Sequence, residues 1–253
     1  MIWVEVGDGV LARRHAELDL TTGLVLGGER ALVIDTRGDR AQGEELAAAV
    51  RAVTTLPVTV VLTHAHFDHC FGTAAFLPAP VLAHPGCRSA LERTAAAQRE
   101  RWVAHYRDHG DTAAAAALAE TEPVPPDPAP SPLDLGGREV VLIAPGPGHT
   151  DHDLAVHVPD TGVLFAGDLL ESGAPPDYED AHPESWADAV AALLALQAHT
   201  YVPGHGDPMT PARAQAQHAE LAQVAALARA VAAGELAEAE AEARSPHPGV
   251  PWP

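Results

Sequence analysis

Four side chains of metal-binding types lie within six positions of one segment of the sequence, VTVVLTHAHFDHCFG. His64 and His66 are two residues apart at the end of a predicted strand, where an extended backbone turns both imidazoles to the same side. Asp68 and His69 come after a turn and point elsewhere, which suits a second ion beside the first. Zinc and iron accept such mixtures of imidazole and carboxylate ligands. The segment therefore predicts part of a metal site.

Further ligands are needed from distant parts of the chain, and three residues of suitable type each follow a hydrophobic run. His149 lies in the loop APGPGHTDHD, Asp168 ends VLFAGD, and His205 stands between two glycines that permit close backbone approach. A single histidine in such a position is more often a surface or hydrogen-bonded residue. Together with the first cluster, however, the set contains five histidines and two aspartates. That set of donors suits two adjacent metal ions that share one carboxylate.

Alternating strands and helices are predicted to position these residues. GLVLGGERALVIDTRGD contains two short strands joined at Gly27–Gly28, which is typical of a hairpin. Asp39 is a predicted N-cap for a helix through RAQGEELAAAVRAV, and VTVVL forms the next strand. The cluster that begins at His64 lies at the carboxyl end of this strand, where open α/β sheets bind their ligands. The predicted fold class is therefore α/β.

The charge and composition of the chain restrict its partners. The formal net charge is −20, with 35 acidic and 15 basic residues among 253, and such a field repels nucleic acid. Two divalent metal ions would change this charge only to about −16. The N-terminus shows no signal-peptide pattern and no apolar run is long enough to span a bilayer, so we expect a cytoplasmic protein without a membrane partner. The two cysteines, Cys70 and Cys87, imply no disulfide framework.

The segments between the ligands are predicted to surround the site. A helical insertion occupies about residues 88–120, and a proline-rich connector that favours extended structure follows at 121–132. Trp102 and Tyr106 of the insertion, and Tyr178 of a later loop, are candidates for the rim of a substrate pocket. The alternative for Trp102 and Tyr106 is that they pack the insertion onto the body of the domain.

Residues 209–253 are predicted to add a C-terminal helix and a frayed tail to the same domain. The alanine- and glutamate-rich sequence favours a helix from Thr210 to about Arg244, and the proline-rich end after it is expected to fray. The helix is long enough to pack either on the domain or on a second subunit, so a homodimer is an open alternative.

The motifs THAHFDH, GHT, GD after an apolar strand, and PGHG occur in this order. In them the chain resembles the metallo-β-lactamase superfamily of hydrolases, over about residues 3–208 of a predicted domain that spans 1–208. The resemblance implies a four-layer αββα sandwich with the metals at one edge between two sheets. It also implies the ligand sets: His64, His66 and His149 for one ion; Asp68, His69 and His205 for the other; and Asp168 for both.

Three further positions are interpreted through this resemblance. Asp35, in VIDT, matches a position that supports the ligands of the family without binding metal. Phe71 stands before Gly72 where many relatives have glycine, so the packing of this loop is expected to differ. His152, in GHTDHD, is an additional histidine that either supports a ligand from behind, contacts the substrate or lies at the surface.

The resemblance implies hydrolysis of a carboxylic ester, thioester, lactone or lactam in a small-molecule substrate, by a hydroxide that bridges the metals. Two divalent ions are expected, zinc first, with iron or manganese as alternatives. Asp68 is expected to orient the hydroxide or to move a proton to the leaving group. Two other functions stay open: a mononuclear iron enzyme that acts on sulfur as sulfur dioxygenases do, and a non-catalytic binding module stabilised by metal.

Overall fold

Seven strands form the first of two β-sheets in the computed structural model, which describes residues 2–252. Their order in space follows their order in the chain. The first four strands pair antiparallel, and the fourth to the seventh pair in parallel. The strands are β1 (Val4–Gly7), β2 (Val10–Arg14), β3 (Thr21–Leu26), β4 (Ala31–Ile34), β5 (Val58–Val61), β6 (Val81–Ala83) and β7 (Asp127–Pro128).

Five strands form the second sheet, again in an unbroken order along the chain. The last two strands pair in parallel, and the other neighbours pair antiparallel. The strands are β8 (Leu133–Asp134), β9 (Glu139–Ile143), β10 (Ala155–Val158), β11 (Val163–Glu171) and β12 (Thr200–His205).

Helices connect or cover these strands: α1 (Arg40–Val53), α2 (Phe67–Cys70), α3 (Pro85–Asp108), α4 (Thr112–Ala119), α5 (Pro183–Leu194), α6 (Pro211–Ala232) and α7 (Glu238–Arg244). The helical insertion is divided between α3 and α4 at Gly110, and the C-terminal helix is divided between α6 and α7 at Gly234. Both glycines have positive φ angles, of 79° and 71°, a conformation that ends helices. None of the helices within residues 2–252 is both long and apolar enough to cross a membrane.

The predicted hairpin and helix cap are both confirmed in the first sheet. Leu26 of β3 pairs with Ala31 of β4 across the 27–30 connection. The Asp39 side chain accepts a hydrogen bond from a backbone N–H in the first turn of α1. The parallel strands β4 and β5 need a crossover connection, which α1 provides. The first ligand segment follows β5 at the carboxyl ends of these strands.

Alternate residues of the central strands face different layers. Ala31 and Val33 of β4 belong to an apolar core shared with α1, α3 and α4, whereas Leu32 and Ile34 belong to a core between the two sheets. On the other side of the second sheet, Leu164 of β11 packs in a third core with α5 and α6. Three cores therefore separate four layers, and the predicted αββα sandwich is confirmed.

The prediction that the tail after Arg244 frays is wrong for residues 245–252. Val250 packs in the core beneath α5 and α6, and the His247 side chain is buried. The Tyr178 hydroxyl lies 2.8 Å from His247 Nδ1. Burial and a hydrogen bond to a distant loop hold this segment, and neither is visible in its local composition. Pro253 lies outside the described residues.

Candidate metal centre

The first ligand segment follows β5 at the carboxyl edge of the first sheet. His64 comes shortly after the last residue of β5 and is buried. His66 is the N-cap of α2, and the single turn of this helix carries Asp68 and His69. Extended backbone before the turn and helical backbone within it direct the first two side chains to one group of ligand atoms and the last two to another.

The second sheet supplies the other three residues. His149 lies in the loop between β9 and β10, Asp168 lies within β11, and His205 ends β12. The structure brings all seven predicted ligands to one edge between the sheets, in groups whose ligand atoms lie within 4.8 Å of one another. The groups are His64, His66, His149 and Asp168, and Asp68, His69 and His205.

Asp168 lies between the two groups. Its Oδ1 is 3.1 Å from His69 Nε2, and its Oδ2 is 3.3 Å from His205 Nε2. Towards the other group, Oδ2 is 3.5 Å from His149 Nε2 and 3.6 Å from His64 Nε2. Asp168 therefore has the position of a carboxylate that two ions can share. Gly204 is needed beside it, because a Cβ atom there would lie 1.8 Å from Asp168 Oδ1.

Several polar atoms of this centre are placed better for binding a cation than for forming hydrogen bonds with one another. His64 Nε2 and Asp168 Oδ1 are buried and form no hydrogen bond within residues 2–252, although Asp168 Oδ1 lies 3.1 Å from His69 Nε2. Nitrogen also faces nitrogen: His149 Nε2 is 2.9 Å from His66 Nδ1, and His69 Nε2 is 3.3 Å from His205 Nε2. Buried polar atoms without partners are rare, and zinc binds this combination of imidazole and carboxylate. The residues therefore fit metal ions.

Charge within the cluster also favours a cation. Burial raises the pKa of Asp168, but the neighbouring His69 and His205 outweigh burial and hold this pKa well below its ordinary value. Burial lowers the pKa of His149 to about 4. Burial also lowers the pKa of His205, but Asp168 raises it to about 10. The centre thus contains an ionised carboxylate and at least one neutral imidazole, both of which are forms that bind metal.

Asp35 lies behind the ligands rather than among them, as the resemblance implies. Its backbone has a positive φ of 62°, and its buried carboxylate accepts three hydrogen bonds. Oδ1 accepts from the backbone N–H of Thr63 at 2.8 Å, and Oδ2 accepts from Thr63 Oγ1 at 2.9 Å and from His69 Nδ1 at 2.8 Å. Because Nδ1 of His69 donates to Asp35, Nε2 is left to face the metal centre.

His152 also supports the ligand segment from behind. Its side chain is 5% exposed, which excludes the surface alternative. Its Nε2 accepts a hydrogen bond of 3.2 Å from the backbone N–H of Ala65, and its Nδ1 lies 2.7 Å from Asp151 Oδ1. His152 therefore holds the backbone between the first two histidines of the cluster.

Two acidic residues near the metal centre were missed by the sequence analysis. Glu171 is buried, and its carboxylate forms a further group of ligand atoms with Asp168 and His205. Asp180 Oδ1 lies 3.1 Å from His66 Nε2. Glu171 is three residues after Asp168, so strand alternation does not place the two on one face, and Asp180 lies in an irregular loop. No sequence signal identified either residue.

The three predicted rim residues have different positions. Trp102 of α3 lines a cavity of about 510 Å³ over the metal centre, whereas neither Tyr106 nor Tyr178 lines it. For Tyr106 the structure agrees with the alternative that this residue packs the insertion onto the domain. Tyr106 is buried in the core under α3, and its hydroxyl donates to Glu17 Oε1 at 2.6 Å. Tyr178 packs against Trp186, away from the cavity. Both rings bury too much apolar surface to remain at an open rim.

Comparison with known sequences identifies one family. The family model described as the metallo-beta-lactamase superfamily matches residues 18–205. The metallo-beta-lactamase type 2 of Bacillus cereus is 26% identical over 213 residues, which cover 81% of this chain and 73% of that protein. Metallo-beta-lactamase domain-containing protein 1 of Xenopus laevis is 37% identical over 97 residues, covering 35% of this chain and 39% of that protein.

Solved structures share the fold at lower sequence identity. A metallo-beta-lactamase from Pontibacter korlensis superimposes with a TM-score of 0.70 and 21% identity, covering 87% of this chain and 98% of that one. The metallo-beta-lactamase FIM-1 from Pseudomonas aeruginosa, solved in a mono-zinc form, gives a TM-score of 0.63 and 21% identity, with 87% and 95% coverage. These similarities support the four-layer architecture.

Proposed function

The chain belongs to the metallo-β-lactamase superfamily, and we propose that it is a dinuclear metal-dependent hydrolase that cleaves a carboxylic ester, thioester, lactone or lactam of a small molecule. The observation that carries the proposal is the position of Asp168 between two groups of ligand atoms. A carboxylate shared by two ions is the simplest use of this geometry. Zinc is the expected metal, with iron or manganese as alternatives.

The chemistry divides between the metals and the side chains of the chain. Two bound ions would lower the pKa of a water molecule and polarise the carbonyl of the substrate. His64, His66 and His149 would hold one ion, and Asp68, His69 and His205 the other, with Asp168 between them. Asp35 and His152 keep the first ligand segment in place through the hydrogen bonds described above.

Asp68 is proposed to move the proton. Its carboxylate lines the cavity, and its Oδ2 lies 3.4 Å from His205 Nε2. A carboxylate that both reaches the ligands and faces the substrate space can accept a proton from the attacking water and return it to the leaving group. In this role, one carboxylate oxygen of Asp68 would bind the metal and the other would accept the proton.

The test combines metal quantitation with a screen of esters, thioesters, lactones and β-lactams. The wild-type protein is expected to bind about two zinc ions per chain and to hydrolyse at least one class. His66→Ala is expected to lose both metal and activity, whereas His218→Ala on α6, outside the grouped ligands, is the matched control. A metal-loaded His66→Ala protein with full activity would refute the proposal. One oxygen-sensitive iron per chain would instead favour sulfur oxidation.

A further inference from the structure

The residue that begins helix α2 does not cap it. This helix is a single turn of four residues, which is too short to be stable alone, and the first N–H groups of a helix have no partner within it. The N-cap residue is His66, whose side chain makes no capping hydrogen bond. Its Nδ1 lies 2.9 Å from His149 Nε2 in the metal centre, and its Nε2 lies 3.1 Å from Asp180 Oδ1. The acceptor for the start of α2 must therefore come from another residue.

Gln98 of α3 supplies this acceptor. Its Oε1 accepts a hydrogen bond of 2.8 Å from the backbone N–H of Phe67, the first residue of α2. Its Nε2 donates to the backbone carbonyl of Ala65 at 3.0 Å and to Thr94 Oγ1 at 2.9 Å. One amide thus binds the backbone on both sides of His66. Ala65 and Phe67 are both buried, and buried backbone groups need such partners.

Neighbouring groups determine the orientation of this amide. The Thr94 hydroxyl donates to the Ala90 carbonyl at 2.9 Å, so its oxygen is left to accept from Gln98 Nε2. A flipped amide would place an N–H group against the Phe67 N–H. Trp102, one turn later on α3, packs on the Phe67 ring with the ring centroids 4.5 Å apart. Helix α3 therefore holds Phe67 by its backbone through Gln98 and by its side chain through Trp102.

The ligand segment is also held from its other side. His152 Nε2 accepts from the backbone N–H of Ala65 at 3.2 Å, so the N–H and the carbonyl of Ala65 are bound by different parts of the fold. These contacts fix the backbone that carries His66, and Asp68 and His69 follow on α2. Because the three residues belong to both groups of ligand atoms, a displacement of the first turn of α2 would disturb both.

We propose that Gln98 is a positioning residue of the metal centre: it caps α2 from the helical insertion and fixes the backbone that carries His66. This inference rests on the metal-binding part of the proposed function, and it gives the insertion a role beyond lining the cavity. Gln98 acts on the metal only through the ligand segment. Residues that hold metal ligands from behind commonly affect metal affinity in this way.

Gln98→Met tests the proposal, because methionine has a similar length and helix propensity but cannot replace the two hydrogen bonds to the backbone. Zinc affinity, titrated against a chelator of known affinity, is expected to fall about tenfold or more. The visible spectrum of the cobalt-substituted protein should also change, since it reports the geometry of the ligands around the ion. Gln98→Ala should act in the same direction, and alanine is the strongest helix former.

The matched control is Gln223→Met on α6. The amide of Gln223 also donates to a backbone carbonyl, that of Arg244, at 2.9 Å, but neither residue belongs to the grouped ligands. The zinc affinity and the cobalt spectrum of this variant should match those of the wild type.

Hydrogen exchange measures the cap in the absence of metal. In the metal-free full-length protein, the Phe67 amide is expected to exchange at least about tenfold faster in Gln98→Met than in the wild type, because its N–H loses its acceptor. The Val60 amide of β5, which donates to the Pro80 carbonyl at 2.9 Å, should exchange at the wild-type rate and shows that the sheet is intact.

The outcomes separate this inference from the proposed function. Unchanged zinc affinity and an unchanged cobalt spectrum in both Gln98 variants would overturn the inference, and so would wild-type exchange of the Phe67 amide. Equal acceleration at Val60 and Phe67 would also overturn it, because Gln98 would then support the whole fold. If no ester, thioester, lactone or β-lactam is hydrolysed while Gln98→Met still weakens zinc binding, the hydrolase function fails and the positioning role stands.

Discussion

Replacing Asp35 by asparagine changes the support of the metal centre while keeping the shape of the side chain. Asparagine also tolerates the positive φ at this position. The carboxylate accepts hydrogen bonds on both oxygens, from Thr63 and from His69. Only the oxygen of an amide can accept a hydrogen bond. In one orientation of Asn at this position, the amide N–H group therefore points at the Thr63 backbone N–H, and in the other it points at His69 Nδ1.

The second orientation affects the metal directly. With an amide N–H facing its Nδ1, His69 must carry its proton on Nε2, the atom that lies 3.1 Å from Asp168 Oδ1. That tautomer cannot bind a metal through Nε2. The first orientation leaves a buried donor without a partner, which costs about 1–3 kcal/mol. Since about 1.4 kcal/mol corresponds to a factor of ten, zinc affinity should fall about 10- to 100-fold.

The assay is a zinc titration against a chelator of known affinity, with metal content measured after dialysis. Asp39→Asn is the matched control, because Asp39 is also a buried aspartate but caps α1, where asparagine is an equally good cap. Asp35→Asn should lose affinity chiefly for the ion bound by His69, and Asp39→Asn should bind both ions as the wild type does. Unchanged zinc affinity and stoichiometry in Asp35→Asn would refute this account of the hydrogen bonds.

Three further predictions concern other parts of the structure. Gly204→Ala should displace the Asp168 carboxylate, 1.8 Å from the added Cβ, with loss of metal and of about 1–3 kcal/mol in the free energy of unfolding; wild-type metal content would contradict this. Zinc binding should release a proton from His205, whose pKa Asp168 raises to about 10 despite burial, so zinc affinity should weaken as pH falls; calorimetry in buffers of different ionisation enthalpy measures this release, and pH-independent affinity would exclude it. Tyr178→Phe should lower the free energy of unfolding, measured in urea, by about 1–3 kcal/mol, because His247 Nδ1 loses its hydrogen-bond partner. The kcat of this variant should stay near the wild-type value, and a large fall in kcat would instead indicate that Tyr178 acts in the active site.

Local patterns in the sequence were sufficient for the α/β class and for the candidate ligands, whereas the four-layer architecture was expected from the resemblance to the metallo-β-lactamase superfamily. The alternation of Ala31 and Val33 with Leu32 and Ile34 separates two cores, and a period of two residues is a local property of a strand. The spacing of His64 and His66 is likewise set by the geometry of extended backbone. Asp168 lies within β11 and His205 ends β12, so the positions of these two ligands follow once the second sheet is known. His149 instead lies in the loop between β9 and β10.

The sequence by itself therefore determined the α/β class, the metal-binding character of the site and its seven candidate ligands, and its resemblance to the metallo-β-lactamase superfamily implied the four layers. Only the tertiary structure decided what surrounds them. Glu171 reaches the centre because the pairing of β11 shifts register between Gly167 and Glu171, which breaks the alternation that a strand pattern assumes. Asp180 meets His66 across 114 positions of the chain, and the hydroxyls of Tyr106 and Tyr178 meet partners that are 89 and 69 positions away. Contacts of this kind form only when separate elements pack, so no local pattern encodes them.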